Sequence, residues 1–231
     1  MLHIKVPATS ANMGPGFDCA GIALQLYNEI WVETIPSGIE ISSKTNENIP
    51  KDESNLIYST IRDFYEAENI PMPGIRLIQD DHIPMTRGLG SSAACIVGGL
   101  IAANILSGKN YSKEELAQKA AKLEGHPDNS NPAIFGDMII SAMYSEGMKY
   151  VKLNVPKNIL FAVMIPEFTL STKKARAVLP DSYTRSQSIF NSSRTGLMVA
   201  SMMTGNLDNL RVAMDDAIHQ PYRKNLIRGY D

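Results

Sequence analysis

Cysteine is scarce in this chain of 231 residues: only Cys19 and Cys95 occur, and they lie far apart. No Cys-x-x-Cys spacing is present, so the sequence indicates neither a disulfide framework nor a zinc site. Cysteine usage of this kind is typical of a reducing intracellular setting, and we expect a cytoplasmic protein. The N-terminus lacks a charged segment followed by an apolar one, so no signal peptide is predicted.

An excess of charge of either sign is also missing. The 22 basic and 24 acidic residues leave a net charge of −2 at pH 7. A nucleic-acid binder normally carries a basic footprint, so nucleic acid is not an expected partner. Hydrophobic residues make up 44% of the chain, which is ordinary for a globular protein and argues against disorder.

Long hydrophobic runs are missing except at Gly88–Gly108, where 21 residues carry no charge. That length would suffice to span a membrane. The run begins with glycines and serines and contains Asn104 and Ser107, a composition unsuited to a lipid-facing helix. We therefore predict a buried core helix and no membrane partner.

Strand-like and helical patterns alternate irregularly along the chain, which favours an α+β fold. Alternating or short apolar runs predict strands at residues 4–6, 22–33, 39–42, 75–79, 138–143, 150–153 and 160–165. Helical spacing predicts helices at residues 55–69, 93–106, 112–123, 172–179, 188–203 and 206–218, with no closing element after them. The loops at residues 7–18, 82–92 and 124–132 are the expected places for chemistry.

Two details of the predicted helices are specific enough to check. Ser112 followed by Glu115 matches a capping box at a helix start. Met198, Met202 and Met203 lie at helical spacing and are expected in the core.

The segment Pro84–Ala94 combines glycines with the start of an apolar helix. Gly88 and Gly90 allow close backbone approach, and Ser91 and Ser92 lie where the first helical amides are unpaired. Such a helix start suits a phosphate group, although a plain glycine turn capped by serine would show the same pattern. The P-loop lysine is missing, and a second helical pattern stands where a dinucleotide-binding fold needs a strand.

Four segments in chain order resemble motifs of the homoserine kinases, a family of the GHMP kinase superfamily. They are Pro7–Asp18, Pro84–Ala94, Glu124–Asn129 and His219–Arg223. The resemblance extends across essentially the whole chain, and four ordered motifs are more specific than the glycine loop, which names only the superfamily. It implies transfer of the γ-phosphoryl group of ATP to the side-chain hydroxyl of L-homoserine, on the route to threonine, with Mg²⁺.

The resemblance also implies the two-domain GHMP kinase fold, with the site between the domains. An ATP-binding N-terminal domain like domain 2 of ribosomal protein S5 is expected over residues 1–153. A ferredoxin-like domain is expected over residues 154–231. Homoserine kinases continue into a third glycine-rich motif that is absent here, so the second domain is expected to be incomplete.

By resemblance, the charged groups of the substrate meet residues of opposite charge. Asp18 matches the partner of the ammonium group, and Arg176 and Arg223 match the carboxylate binders, for which a planar guanidinium is suited. Asn12 and His126 match residues around the substrate. Taken alone, each arginine is more typical of a surface charge, and His126 of a loop histidine bonded to backbone.

The resemblance implies catalysis by positioning, with the substrate hydroxyl held near Asn129 and Arg176 counted among the catalytic residues. Asp128 is a further catalytic candidate, since a positioned carboxylate can act as a base. It is equally typical of a structural turn.

Nucleotide and metal are assigned to the helix start and to two residues outside it. The proposed nucleotide-binding residues of the loop are Pro84, Met85, Thr86, Arg87, Gly88, Leu89, Gly90, Ser91, Ser92, Ala93 and Ala94. Asn55 matches an adenine-side position, or alternatively caps a helix. Mg²⁺ prefers oxygen ligands, which Ser91 or Ser92 and Glu124 would supply by resemblance. Glu124 could instead be a solvated carboxylate at a helix C-terminus.

The chain departs from the family pattern at several places. Ser130 and Asn131 stand where the family has valine and alanine, and Asp137 replaces the second of two glycines. Residues 226–229 read Leu-Ile-Arg-Gly where leucine-isoleucine-proline-glycine is usual. These changes concern local loop geometry and leave the resemblance in place.

Two other functions are compatible with the sequence. Another small-molecule GHMP kinase, acting on mevalonate or shikimate, would share the glycine loop, but Asp18 with Arg176 suits a zwitterion better than a purely anionic acid. A homologue that binds its ligands without turnover would follow from a missing C-terminal motif. The oligomeric state, a homodimer included, is not determined by the sequence.

Overall fold

The computed structural model describes residues 1–230 and confirms the α+β expectation. The strands, which form one mixed sheet, are β1 Leu2–Ala11, β2 Ala20–Ile35, β3 Ile39–Ser43, β4 Gly74–Asp80, β5 Met138–Tyr144 and β6 Gly147–Leu153. The helices are α1 Leu56–Ala67, α2 Ser91–Leu106, α3 Lys113–Glu124, α4 Ser130–Phe135, α5 Thr172–Arg176, α6 Arg185–Thr204, α7 Leu210–Ala213 and α8 Gln220–Arg223.

Strand β2 organises the sheet because it is long enough to pair with three others. It runs antiparallel to β1 over most of its length, to β4 along its second half and to β5 at Ala20–Ile22. The strand order is β3-β4-β2-β5-β6, with β1 on β2 off this path. Only the β3–β4 pair is parallel among the pairings of residues 1–230.

Strand β1 is longer than the sequence predicts. It continues through Pro7 to Ala11, so the predicted loop at residues 7–18 shrinks at its start. Proline cannot donate to a ladder and is tolerated at edges and bulges. Here the register with β2 shifts between Pro7 and Thr9, which is where such a residue fits.

The main hydrophobic core lies between the sheet and the helices α1, α2 and α3. Side chains that alternate along β1 and β2, such as Val6, Ile30 and Val32, are buried against them. The uncharged run forms α2, as expected of a core helix, and a Cβ at Gly99 would lie only 2.8 Å from Thr60 on α1. No helix within the described residues has the length and apolarity that crossing a membrane requires.

Helix ends follow the predicted capping chemistry. At α3 the Ser112 hydroxyl accepts from the Glu115 amide, and the Glu115 carboxylate accepts from the Ser112 amide, which confirms the capping box. The predicted loop at residues 124–132 ends early, because Ser130–Phe135 is helical as α4. Pro132 is compatible with this helix because it lies in its first turn, where an amide has no helical partner.

A second core packs α6 against the start of β2 and against β5. Met198 is fully buried there and Met202 nearly so, together with Ile22 and Met138. The expectation for Met203 is wrong: it is 66% exposed, because it follows Met202 directly and points away from that face.

The chain after Leu153 differs most from the prediction. No strand forms at residues 160–165, where Leu160 and Met164 are each 94% exposed. A short apolar run makes a strand only when a neighbour pairs its backbone groups, and up to residue 230 no strand follows β6. The helix predicted at 172–179 ends at Arg176. The domain boundary at residue 153 stays a prediction.

The last predicted helix, at residues 206–218, is broken into short turns. Leu207–Asn209 forms a 3-10 turn and Leu210–Ala213 forms α7. The Asp216 carboxylate then accepts from the amides of His219 and Gln220, which starts α8. A closing element therefore exists where none was predicted.

Candidate active site

The loop between β1 and β2 carries Asp18 to a position next to His126 and Asp128. Asn12, Met13 and Asp18 all have positive φ angles, so this loop turns sharply. The Asn12 side-chain oxygen accepts from the Asp18 amide at 3.1 Å. Asn12 therefore holds the loop in the shape that presents the Asp18 carboxylate.

Asp18 and Arg176 are brought together from distant parts of the chain. The guanidinium of Arg176 donates two hydrogen bonds to the carboxylate, with Nη1–Oδ2 at 2.9 Å and Nη2–Oδ1 at 2.5 Å. The hydrogen bonds to Asp18 raise the pKa of Arg176, and about one third of each side chain is exposed. The two groups assigned to the substrate charges neutralise each other in this structure.

Arg223 reaches the same place from α8. Its Nε donates to the Ala175 carbonyl at 3.0 Å, next to Arg176 in the chain. Burial lowers the pKa of Arg223, and the nearby Arg176 charge lowers it further. Two guanidinium groups and one carboxylate thus lie close together.

The start of α2 is open to a ligand. Gly90 is the N-cap residue with φ 69°, and among the residues described no side chain caps this helix. The loop is fixed from behind, since the Thr9 amide donates to the Leu89 carbonyl at 3.1 Å. Uncapped amides and the positive end of a 16-residue helix favour a phosphate group.

Arg87 adds a positive charge to this loop. Its Nη2 donates to the Glu167 carbonyl at 2.6 Å, and the Leu170 amide donates to the Thr86 carbonyl at 3.2 Å. Its Nη1 is buried without a partner within the described part of the chain. The glycine loop is therefore tied to the segment before α5, and the buried Nη1 of Arg87 remains a donor for an acceptor.

Thr9 connects the nucleotide loop with the predicted transfer site. Its hydroxyl donates to the Asn129 side-chain oxygen at 2.9 Å. A Cβ at Gly90 would clash with that hydroxyl and lie 3.1 Å from the same Asn129 oxygen. The sequence analysis placed Thr9 in a loop and did not indicate this contact, which depends on the continuation of β1 to Ala11.

Glu124, at the end of α3, faces the start of α2. Burial raises the pKa of this carboxyl to about 7, the His126 charge opposes that effect, and a hydrogen bond from Ser92 opposes it weakly. Its Oε2 is buried and has no hydrogen-bond partner among residues 1–230. An orphaned carboxylate oxygen beside a hydroxyl is a donor set that fits Mg²⁺.

His126 and Asp128 form a pair beside Asp18. His126 Nδ1 lies 2.6 Å from Asp128 Oδ1, and this hydrogen bond raises the pKa of the histidine. The bond is to a side chain, whereas a loop histidine is expected to bond to backbone. One polar atom each of Asp18, His126 and Asp128 lies within 4.8 Å of the others.

Asn55 lies apart from this cluster. Its oxygen accepts from the amides of Ile57 and Tyr58, so it caps α1. Its amide nitrogen donates to the Pro50 carbonyl and to Gln79 Oε1. The helix-capping alternative accounts for these contacts, and an adenine contact stays a prediction.

The unusual residues after Asn129 are fully buried. Asn131 donates to Ser141 Oγ at 2.6 Å, so Ser141 on β5 partly compensates the exchange of an apolar residue for a polar one. Ser130 Oγ and Asn131 Oδ1 have no partner within the described residues.

Comparison with known proteins identifies the family of the chain. The family model described as "GHMP kinases N terminal domain" matches residues 55–137. The chain is 47% identical over its whole length to a homoserine kinase of Caldicellulosiruptor saccharolyticus, of which it covers 75%. It is also 47% identical over its whole length to a homoserine kinase of Clostridium novyi, of which it covers 78%.

A solved structure gives the same result for the fold. The homoserine kinase of Cytophaga hutchinsonii superposes with a TM-score of 0.83 at 30% identity. The match covers 99% of this chain and 76% of that one. The GHMP kinase fold expected from the motifs is thereby confirmed.

Proposed function

Since the chain belongs to the homoserine kinase family of the GHMP kinases, we propose that it transfers the γ-phosphoryl group of ATP to the side-chain hydroxyl of L-homoserine. The observation that carries this proposal is the cluster of Asp18, Arg176 and Arg223. Asp128 next to Asp18, and Asn129 next to Gly90, connect this cluster with the start of α2. A zwitterion fits this cluster, and a triphosphate fits the helix start.

Homoserine binds by exchanging ion pairs. Its ammonium group takes the place of Arg176 at Asp18, while its carboxylate receives the hydrogen bonds that Arg176 releases and those of Arg223. The exchange leaves each protein charge paired, so little desolvation energy is lost. Asn12 and His126 border the bound substrate.

Positioning accounts for the rate of transfer. The Gly88–Ala94 amides and Arg87 hold the triphosphate, and Asn129, held by Thr9, orients the attacking hydroxyl next to that loop. Phosphoryl transfer requires mainly alignment and charge neutralisation. Asp128 is engaged by His126, so the hydroxyl proton passes to a phosphate oxygen or to water rather than to a strong base.

Glu124 with Ser91 or Ser92 is the proposed site of Mg²⁺. The bound ion would neutralise charge on the transferred phosphoryl group. The buried, unpartnered Glu124 Oε2 supports this assignment.

A cytoplasmic location and two small-molecule partners, ATP and L-homoserine, complete the proposal. Both cysteines are free, as a reducing compartment would leave them. Sedimentation of the purified chain decides between a monomer and a homodimer.

A substrate panel tests the function. ADP release would be measured with ATP, Mg²⁺ and each of L-homoserine, mevalonate and shikimate. We expect the highest kcat/KM with L-homoserine, because only this substrate carries an ammonium group for Asp18. Preference for either of the other two would overturn the proposal, and so would calorimetric binding of homoserine and ATP without product.

A further inference from the structure

The ring of Phe17 contacts both arginines of the substrate site. Its centroid lies 5.3 Å from Cζ of Arg176 and 5.0 Å from Cζ of Arg223. Both distances are within the range of about 6 Å in which an aromatic ring attracts a cation. One aromatic side chain therefore lies next to two positively charged groups and attracts both.

The loop that carries Phe17 is anchored from the other side. His219 Nε2 hydrogen-bonds the Gly14 carbonyl at 2.7 Å, and its ring stacks on Phe17 with centroids 5.2 Å apart. The buried Asn191 amide donates to the Pro15 carbonyl at 2.7 Å. The position of the ring is therefore set by the fold.

The two arginines differ in their charge partners. Arg176 is paired with Asp18. Arg223 is half-buried and, within residues 1–230, forms no ion pair with a carboxylate, since its bonds go to the Ala175 carbonyl and towards His219. A half-buried cation next to a second cation is unfavourable unless an attractive group balances it.

An aromatic ring suits this task better than a carboxylate. The negative face of the ring attracts a guanidinium while leaving its N–H groups free. An acidic side chain at this position would take up those donors and compete with the substrate. An aliphatic side chain would remove the attraction of the ring, and the repulsion between the arginines would then be offset only by the nearby charges of Asp18, Asp128 and Asp216.

We propose that Phe17 is a positioning residue that sets Arg176 and Arg223 for a carboxylate, so that it determines selectivity for amino alcohols that carry one. This inference rests on the proposed function. Because the Phe17 side chain has no charge and no hydrogen-bonding group, the motif alone does not indicate this role.

The test compares Phe17→Leu with Phe17→Tyr, which restores an aromatic face. Phe190→Leu is the matched control, because Phe190 contacts Arg194 at 3.4 Å on α6 outside the site. KM and kcat would be measured with L-homoserine and with L-homoserine amide, which lacks the negative charge. The KM for ATP is recorded alongside.

For Phe17→Leu we expect an increase of about tenfold in the KM for L-homoserine, the effect of losing two cation–ring contacts. The KM for ATP and the kcat/KM for the amide should stay unchanged, and Phe17→Tyr should restore the KM for homoserine. Phe190→Leu should behave as the unsubstituted chain. A general loosening of the fold would also change the KM for ATP and the kcat/KM for the amide, so this pattern distinguishes the two causes.

Three results would overturn the inference: an unchanged KM in Phe17→Leu, an equal loss with the amide, or no recovery in Phe17→Tyr. In each case the unsubstituted chain would still phosphorylate homoserine, so the proposed function would survive. If the unsubstituted chain neither binds nor phosphorylates homoserine, the proposed function fails first and the inference with it.

Discussion

Gly90 is the residue at which the proposed nucleotide loop and the proposed homoserine site meet. It has a positive φ angle, and any side chain there would run into Thr9 and approach Asn129. Glycine adopts this conformation without cost and lets the backbone come close to a phosphate. In the proposed mechanism, this one residue lies next to both substrates.

Gly90→Ala should abolish measurable nucleotide binding in calorimetry, because the methyl group displaces Thr9 and distorts the helix start. Gly108→Ala is the control: Gly108 has a similar φ of 72°, but nothing lies within 4 Å of the added atom. Equal nucleotide affinity in the two variants would contradict the assignment of the loop.

Asp137 shows why a glycine is usual at its position in the family. Its φ is 56°, in the left-handed region that costs a residue with a Cβ about 1 kcal/mol. Its carboxylate gains only an exposed ion pair with Lys152 at 2.9 Å. Exposed pairs contribute about 0.5 kcal/mol, so the strain outweighs the gain.

Asp137→Gly should therefore raise the free energy of unfolding in urea by about 0.5 kcal/mol. Asp137→Ala keeps the strain and loses the ion pair, so it should lower that free energy. A decrease in both variants would show that the ion pair, and not the backbone angle, decides stability here.

At the scale of elements, Glu68 ties α1 to the segment around α3. Its carboxylate receives hydrogen bonds from Lys119 and from the Tyr111 hydroxyl and pairs with Lys109 at 3.0 Å. These contacts, led by Lys109, lower the pKa of Glu68 from 4.5 to about 2. A carboxyl with a lowered folded-state pKa stabilises the fold above its unfolded pKa and loses that effect as the pH falls.

Glu68→Gln should therefore destabilise the protein most at neutral pH. The difference in free energy of unfolding from the unsubstituted chain should shrink as the pH falls from 4.5 towards about 2. Glu66→Gln, whose side chain is 70% exposed, is the control and should change little. A difference for Glu68→Gln that is constant with pH would refute the ion-pair account.

The sequence alone predicted those helices and strands that are determined by residues close together in the chain. The capping box of α3, the apolar helix α2 and most strands followed from spacing and propensity alone. The strand expected at residues 160–165 failed because a strand needs a neighbouring strand, which spacing does not show. The helix expected at 206–218 failed because the Asp216 side chain bonds the amides of His219 and Gln220 and starts a new turn, which helical spacing of apolar residues does not show.

At the scale of the whole molecule, the fold gathers the proposed site from distant parts of the chain. Asp18 follows the first strand, Asn129 precedes α4, and Arg176 and Arg223 come from the segments after the sheet. Motif resemblance named these residues. It did not reveal that Asp18 and Arg176 pair with each other, or that Phe17 touches both arginines, since such contacts exist only after folding.

Arg223→Ala tests whether the last segment belongs to the site. The KM for L-homoserine should rise by about tenfold or more, since a charge-assisted contact to the carboxylate is lost. The KM for ATP should change much less. Arg211→Ala, an exposed arginine on α7, is the control and should affect neither. A larger effect on the KM for ATP would reassign Arg223 to the nucleotide.

The most direct test of the account follows the oxygen atom that receives the phosphoryl group. The chain would be incubated with ATP, Mg²⁺ and L-homoserine labelled with ¹⁸O either in the side-chain hydroxyl or in the carboxylate, and the product examined by ³¹P NMR. The account predicts an isotope shift of the phosphorus resonance only with the hydroxyl label. A shift with the carboxylate label, or phosphorus recovered solely as inorganic phosphate, would contradict it.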